Sequence, residues 1–216
     1  MFSVILLMAG KGQRMKENVN KIRLPLGNKL VYEYSLNTFL SFNFEVICVL
    51  SEQDFDLIPR LPKNVKYTFG GKTRQESVLN GLLLCSNEYV LIHDAARPFI
   101  SKNVISEIIK SDLSHAKLVY QNVKDTIKIN DNGLKTLPRN MLISASTPQC
   151  APLSIFMNVF NLAKKENFQA TDDISLIEKY RNDIKIDLIL GNEENFKLTT
   201  PLDYELAKII VEMKKW

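Results

Sequence analysis

The stretch MFSVILLMAGKGQRMKENVNKIR, residues 1–23, decides how the rest of the chain is read. Val4, Ile5, Leu6 and Leu7 form a short apolar run of buried-strand character. Ala9, Gly10 and Gly12 follow at once, and small residues there let the backbone come close to a ligand. Lys11, Arg14, Lys16, Lys21 and Arg23 come next, with Glu17 the one acid among them. A strand that runs into a glycine loop and then into cations suits phosphate. Backbone N–H groups cradle the oxygens and the side chains neutralise them. An ordinary loop at a strand end is the alternative at this point.

Two better-known glycine loops do not fit. Nothing here matches the Gly-x-x-x-x-Gly-Lys-Ser/Thr of a P-loop. Gly10 and Gly12 suit the dinucleotide fingerprint, but its third glycine position is Met15. The acid that pattern needs about 20 residues on is also missing, since Glu52 lies too far along. The expected ligand therefore bears phosphate but is held by a different arrangement.

A chain of 216 residues suits one domain with a proper core. The apolar fraction of 45% is ordinary, and no apolar run is long enough to span a membrane. Met1 leads straight into the first strand with no signal-peptide pattern, so a cytoplasmic location is expected. Cys48, Cys85 and Cys150 are far apart, and neither His93 nor His115 has a cysteine at ligand spacing. That argues against disulfides and zinc. A net charge of +4 favours small anions slightly and does not resemble a nucleic-acid footprint.

Along the chain, apolar spacing predicts a helix over 31–42, a strand over 45–50, a short helix over 54–58 and a strand over 65–69. A helix follows over 73–85 with Val78, Leu79, Leu82 and Leu83 inward, then a strand over 89–93 and a helix over 104–109. Strands that alternate with helices in this way predict an α/β fold, a mostly parallel sheet with helices on both faces. Ligands on such sheets sit beyond the carboxyl ends of the strands. That rule selects 9–14, 70–77 and 94–98. The pattern weakens after Leu118. Residues 121–141 are polar and carry Asn132-Gly133, a hairpin-turn signal, so they read as a projecting β-arm. Helical pattern returns over 152–165 and near 173–180, and 184–190 reads as a strand. Thr200, Pro201 and Asp203 cap a closing helix whose apolar stripe is Leu202, Leu206, Ile209, Ile210 and Met213.

Three further clusters carry chemistry. Gly70-Gly71-x-x-Arg74-x-x-Ser77 opens a helix after a strand, where free N–H groups favour anions. In His93-Asp94-Ala95-Ala96-Arg97, Asp94 suits a ribose hydroxyl or a metal and Arg97 a phosphate. His93 and Asp94 point to opposite faces of their strand, so they do not form a hydrolase triad, and His93 reads as structural. Lys197 lies between Phe196 and Leu198 just before the closing helix, which makes it the least ordinary of the later charges. For each cluster a plain helix start or a solvated charge is the competing explanation.

Taken together and in order, MAGKGQRM, Lys21, GGKTRQESVLNGL, LIHDAARPFI, VKDTIK, STPQ, TDDISLIE and GNEENFKLTTPLDYELA resemble the 2-C-methyl-D-erythritol 4-phosphate cytidylyltransferases of the non-mevalonate isoprenoid pathway. Each motif is weak alone, and the ordered set is specific. The resemblance implies a Rossmann-like nucleotidyltransferase fold in a single domain, with the arm used for homodimerisation. It also implies CTP and a sugar-alcohol phosphate as substrates and Mg²⁺ as the required ion. By resemblance, Arg14, Lys21 and Lys197 are the catalytic cations. Met8, Ala9, Gly10, Gly12, Gly71, Arg74, Ser77, Asp94 and Ala95 belong to the nucleotide site. Asp94, Arg97, Thr126, Arg139, Thr147, Thr171 and Lys197 belong to the methylerythritol phosphate site. Mg²⁺ would be held mainly by phosphates, with Asp94 the one nearby carboxylate.

The sequence departs from the family pattern at Met8, where alanine is usual, and at Asn20, which replaces a proline. Ile22-Arg23 stands in place of the glutamine side of a Pro-Lys-Gln turn, and Cys150 replaces a phenylalanine. Two rivals stay open: a ribitol 5-phosphate cytidylyltransferase, and a nucleotide-binding module without catalysis. The first is disfavoured by Arg74-Gln75 and Ala96, the second by the presence of Arg14, Lys21 and Lys197.

Overall fold

The computed structural model describes residues 1–10 and 20–214. The strands are β1 (Phe2–Leu7), β2 (Pro25–Leu26), β3 (Lys29–Leu30), β4 (Glu45–Leu50), β5 (Lys66–Phe69), β6 (Tyr89–Asp94), β7 (Ala116–Asn122), β8 (Lys128–Asn130), β9 (Leu134–Thr136), β10 (Ile143–Pro152) and β11 (Ile186–Leu190). The helices are α1 (Val31–Leu40), α2 (Arg74–Leu82), α3 (Lys102–Lys110), α4 (Leu153–Lys165), α5 (Ile174–Tyr180) and α6 (Pro201–Lys214). Short 3-10 turns cover Lys21–Arg23, Glu52–Arg60 and Arg139–Met141.

β1 pairs in parallel with β4 on one side and β6 on the other, inside a seven-stranded sheet of order β11-β7-β10-β6-β1-β4-β5. β10 runs antiparallel to both of its neighbours, and the other pairings in this sheet are parallel. Both faces of β1 are covered, so its apolar run does not alternate with polar residues. Val4 and Leu6 join Phe39 of α1 and Ile105 of α3 in one core layer. Ile5 points the other way, to Val78 and Leu82 of α2 and Phe156 of α4. α2 lies so close to β1 that a Cβ on Gly81 would stand 2.7 Å from Ile5 Cγ2. Glycine is the residue this approach tolerates.

This stacking brings the strand ends together. Met8 N–H donates to Val49 O, Gly70 N–H to Leu50 O and Ala95 N–H to Leu7 O. The loops after β1, β5 and β6 therefore meet at one edge of the sheet, as the strand-end rule predicts.

The expected arm is present. β8 and β9 pair only with each other among the described residues, and Asn132 and Gly133 take positive φ (49° and 128°) at the turn. Its Ile127, Ile129 and Leu134 are exposed.

Other expectations need correction. α2 ends at Leu82, and Leu83 is exposed rather than inward. Most of the expected apolar stripe of α6 faces outward: Leu202, Leu206, Ile209 and Met213 are exposed, and only Ile210 packs inward. α6 seats instead by Ala207 and Val211 in a third cluster with Leu26, Tyr34, Phe99 and Leu198, and Tyr204 Oη donates to Pro25 O. A side chain on Gly27 (φ +61°) would lie 2.9 Å from Val211 Cγ1, so small residues let the β2–β3 hairpin and the helix close up. β7 lies where the sequence pattern predicts no strand. Lys117 interrupts its apolar pattern, yet that side chain is fully buried, donating to Asp112 O, to His115 O at 3.2 Å and to Asp187 Oδ2 at 3.1 Å. β10 runs from Ile143 through Thr147 to Pro152.

Candidate active site

Asp94 closes β6 and is buried at the floor of the strand-end cleft. Lys197 Nζ donates to its Oδ2 at 2.6 Å, and Arg74 Nε lies 3.5 Å from Oδ1. Burial alone would raise the Asp94 carboxyl. Arg74 and Lys197 outweigh that and hold it well below the usual carboxylate range. Asp94 is thus an anion that fixes two cations at the mouth of the cleft.

Each cation is placed by local structure. Arg74 is the first residue of α2, whose N-cap Thr73 accepts from Glu76 N–H at 3.1 Å. Its guanidinium makes a two-pronged pair with Asp173, at 2.7 and 2.8 Å. Ser77 Oγ donates to Thr73 O and accepts from Gly71 N–H, which curls the glycine loop over the helix start. A Cβ on Gly70 would meet Ala9 Cβ at 2.7 Å, so the loops after β1 and β5 touch here. Lys197 is held through its neighbour: Leu198 is buried and its N–H donates to Ala96 O at 2.8 Å.

Behind Asp94 sits a neutral polar layer. Thr147 Oγ1 accepts from Asp94 N–H at 3.2 Å and bonds His93 Nδ1 at 3.0 Å, while His93 Nε2 bonds Arg97 O. A neutral ring carrying its proton on Nε2 satisfies these partners. Burial depresses His93 to about 4, so it stays neutral and structural. Arg97 Nη1 donates to Asn195 O at 2.8 Å, and Asn195 Nδ2 donates to Thr147 O. These bonds tie the loop after β6 to the segment that carries Lys197.

The cleft has a volume of about 280 Å³. Of the residues expected at the site, Met8, Ala9, Gly10, Lys21, Gly71, Arg74, Ser77, Asp94 and Lys197 line it. Ala95 does not: both alanines belong to the core layer, but Ala95 is fully buried and Ala96, 4% exposed, takes the wall position. Thr147 stands behind Asp94, and Arg97 is turned toward Asn195. Thr171 is exposed on the loop before α5, which Gln75 clamps by donating to Phe168 O and accepting from Ala170 N–H. Thr126 and Arg139 lie on the arm, outside the cleft wall, where Arg139 Nη1 donates to Lys124 O at 2.8 Å. Gly12 and Arg14 lie outside the described residues.

Sequence reading missed Asp173 as the partner of Arg74, and Lys72 and Asn20 as wall residues. An acid set directly before the buried Ile174 was the available signal for Asp173.

Among the described lining residues, Lys21, Lys72, Arg74 and Lys197 face one acid, Asp94. Such a surface concentrates anions. No cluster of three or more metal-ligating side chains occurs among the described residues. A divalent ion here would share Asp94 with ligand phosphates, the usual way Mg²⁺ is bound.

Comparison with known proteins agrees with this chemistry. The model of the 2-C-methyl-D-erythritol 4-phosphate cytidylyltransferase family matches residues 2–213. The chain belongs to this family. The cytidylyltransferase of that name from Clostridioides difficile (strain 630) is 36% identical over all of this chain and 95% of its own length. The one from Aquifex aeolicus (strain VF5) is 36% identical over 98% of each. The crystal structure of 4-diphosphocytidyl-2C-methyl-D-erythritol synthase from Anaerococcus prevotii DSM 20548 superposes with a TM-score of 0.84 at 28% identity, covering 98% of both chains. Family members are nucleotidyltransferases of isoprenoid precursor synthesis, so the Rossmann-like sheet and the cation-lined cleft belong to a cytidylyltransferase.

Proposed function

We propose that the chain joins CTP to 2-C-methyl-D-erythritol 4-phosphate in this cleft, with Lys21, Lys197 and Arg14 as the catalytic cations. The observation that carries the reading is the Arg74–Asp94–Lys197 group at the strand-end loops, in a cleft that Lys21 also lines. A phosphate oxygen of the sugar alcohol attacks the α-phosphorus of CTP, and pyrophosphate leaves in line. A phosphate monoester is mostly dianionic at neutral pH, so the nucleophile needs no general base. This suits a cleft whose nearest histidine is buried and neutral. The remaining task is to bring two anions together and to neutralise charge that builds on the α-phosphate. One well-placed donor of this kind is worth roughly 2.7–4 kcal/mol.

Small and glycine residues at Ala9, Gly10 and Gly71 leave backbone groups open to the nucleotide. Mg²⁺, when bound, offsets phosphate charge, with Asp94 as its protein contact. Arg97, Thr171, Thr126 and Arg139 serve the sugar-alcohol phosphate, the last two across a homodimer in which the arm reaches the partner's cleft. The exposed apolar residues of the arm support this arrangement. The cytoplasm is the proposed location. Among the described residues no helix is long and apolar enough to cross a membrane.

The test is pyrophosphate release with CTP and Mg²⁺. Methylerythritol phosphate should be turned over with far higher kcat/KM than ribitol 5-phosphate. Equal or reversed values would overturn the substrate assignment, and no release with either would overturn catalysis.

A further inference from the structure

We infer that Asn20, Asp54 and Arg23 form a positioning unit that sets Lys21 in the cleft wall. The inference rests on Lys21 being a catalytic cation. Lys21 opens a 3-10 turn closed by Arg23 N–H on Asn20 O at 2.9 Å and Leu24 N–H on Lys21 O at 3.2 Å. Ile22, between them, is buried in the same core layer as Leu57.

Both flanks of Lys21 are then tied to one carboxylate. Asn20 Nδ2 uses both of its protons, one on Met8 O at 2.9 Å and one on Asp54 Oδ2 at 2.8 Å. Arg23 Nη1 donates to the other oxygen, Asp54 Oδ1, at 3.2 Å, and the same guanidinium pairs with Asp56 at 2.9 and 2.6 Å. Asp54 is only 3% exposed and sits in the turn that follows β4. A carboxylate buried this far is costly unless it is fully hydrogen-bonded, and here it accepts from donors on either side of one lysine. Through Asn20 the unit also fixes the turn against Met8, at the end of β1. The base of the Lys21 side chain is thereby held relative to the nucleotide loop before any ligand arrives. Pre-set placement of this kind acts on the transition state more than on ground-state binding.

The experiment is a double-mutant cycle read in kcat, with KM for CTP measured alongside. Asn20→Ala and Asp54→Asn should each lower kcat by between about tenfold and a hundredfold, with KM for CTP little changed. In a Lys21→Ala background either change should add less than about twofold, because nothing is left to position. Losses that multiply with Lys21→Ala, or that appear in KM alone, would overturn the proposal. If Asn20→Ala or Asp54→Asn fails to fold, Arg23→Gln on the half-exposed flank carries the same cycle. Amide hydrogen exchange supplies a reading independent of turnover. Exchange at Arg23 and Leu24 should quicken in the variants while β1 and β6 stay protected; unchanged exchange would overturn the unit. A wild-type chain that binds CTP yet releases no pyrophosphate would defeat the assigned reaction instead, and the exchange result would then decide the positioning.

Discussion

Replacing Lys197 by alanine separates catalysis from stability. Its ammonium is 2.6 Å from Asp94 Oδ2, with side-chain exposures of 37% for the lysine and 11% for the aspartate. Breaking one side of a fully buried pair costs about 3–5 kcal/mol, whereas an exposed pair contributes about 0–1. Lys197 is more than a third exposed, and Arg74 stays 3.5 Å from the same carboxylate. The stability loss should therefore lie near the lower figures, about 1–2 kcal/mol. For a chain of this size that is a fall in Tm of about 2–8 °C. The catalytic loss follows a different scale. Removing one donor aimed at developing charge costs roughly 2.7–4 kcal/mol, so kcat should drop about a hundredfold to a thousandfold. Pyrophosphate release gives kcat, and thermal melting by circular dichroism gives Tm. A kcat within about tenfold of wild type would refute the role of Lys197. A Tm fall far beyond about 8 °C would show that Lys197 mainly holds the fold.

Three other outcomes follow from the geometry. His93 is neutral and buried, with its pKa lowered from 6.5 to about 4, so the unfolded chain takes up its proton first; stability should be complete above about pH 6.5 and be lost as pH falls toward about 4, by up to about 3 kcal/mol. Acid melts of His93→Gln should be flatter across that window, and an unchanged slope would contradict the assignment. Gln75→Ala frees the backbone of Phe168 and Ala170, so KM for the sugar-alcohol phosphate should rise several-fold while KM for CTP holds, and the reverse pattern would contradict a role through the Thr171 loop. Finally, subunits carrying Lys21→Ala mixed with subunits carrying Arg139→Ala should recover about a quarter of wild-type activity, since half the dimers are mixed and each restores one site. No recovery after proven exchange would place Arg139 in its own subunit's site.

Much was legible in the sequence because it depends on local pattern. The apolar runs ending in Leu7, Leu50 and His93 marked parallel strands, and strand-end logic located the cleft from Gly10, Gly71 and Asp94. Asn132-Gly133 marked the arm turn because few other residues accept those backbone angles. Asn20 and Arg23 stood out as departures from the family pattern, but the carboxylate they share, Asp54, is more than thirty residues away in sequence, with separations of 34 and 31. The arrangement was therefore hidden from any local reading.

The same limit explains the errors. Periodicity detects an apolar face but not which surface meets a partner, so the α6 stripe read as core while Ala207 and Val211, small enough for the Gly27 hairpin, took the buried side. Lys117 interrupts the apolar pattern of β7, so local periodicity gives no strand there, yet Asp187 and the carbonyl oxygens of Asp112 and His115 satisfy the charge inside the protein. Composition and spacing determined the fold class, the strand-end cleft and its demand for an anion. Tertiary structure alone decided that Arg74 reaches Asp173 across 99 residues, that Ala96 rather than Ala95 faces the cleft, and that Lys197 closes on Asp94. Hydrogen bonds and ion pairs act over a few ångströms in space, and the separation of their partners along the chain leaves no trace in local pattern.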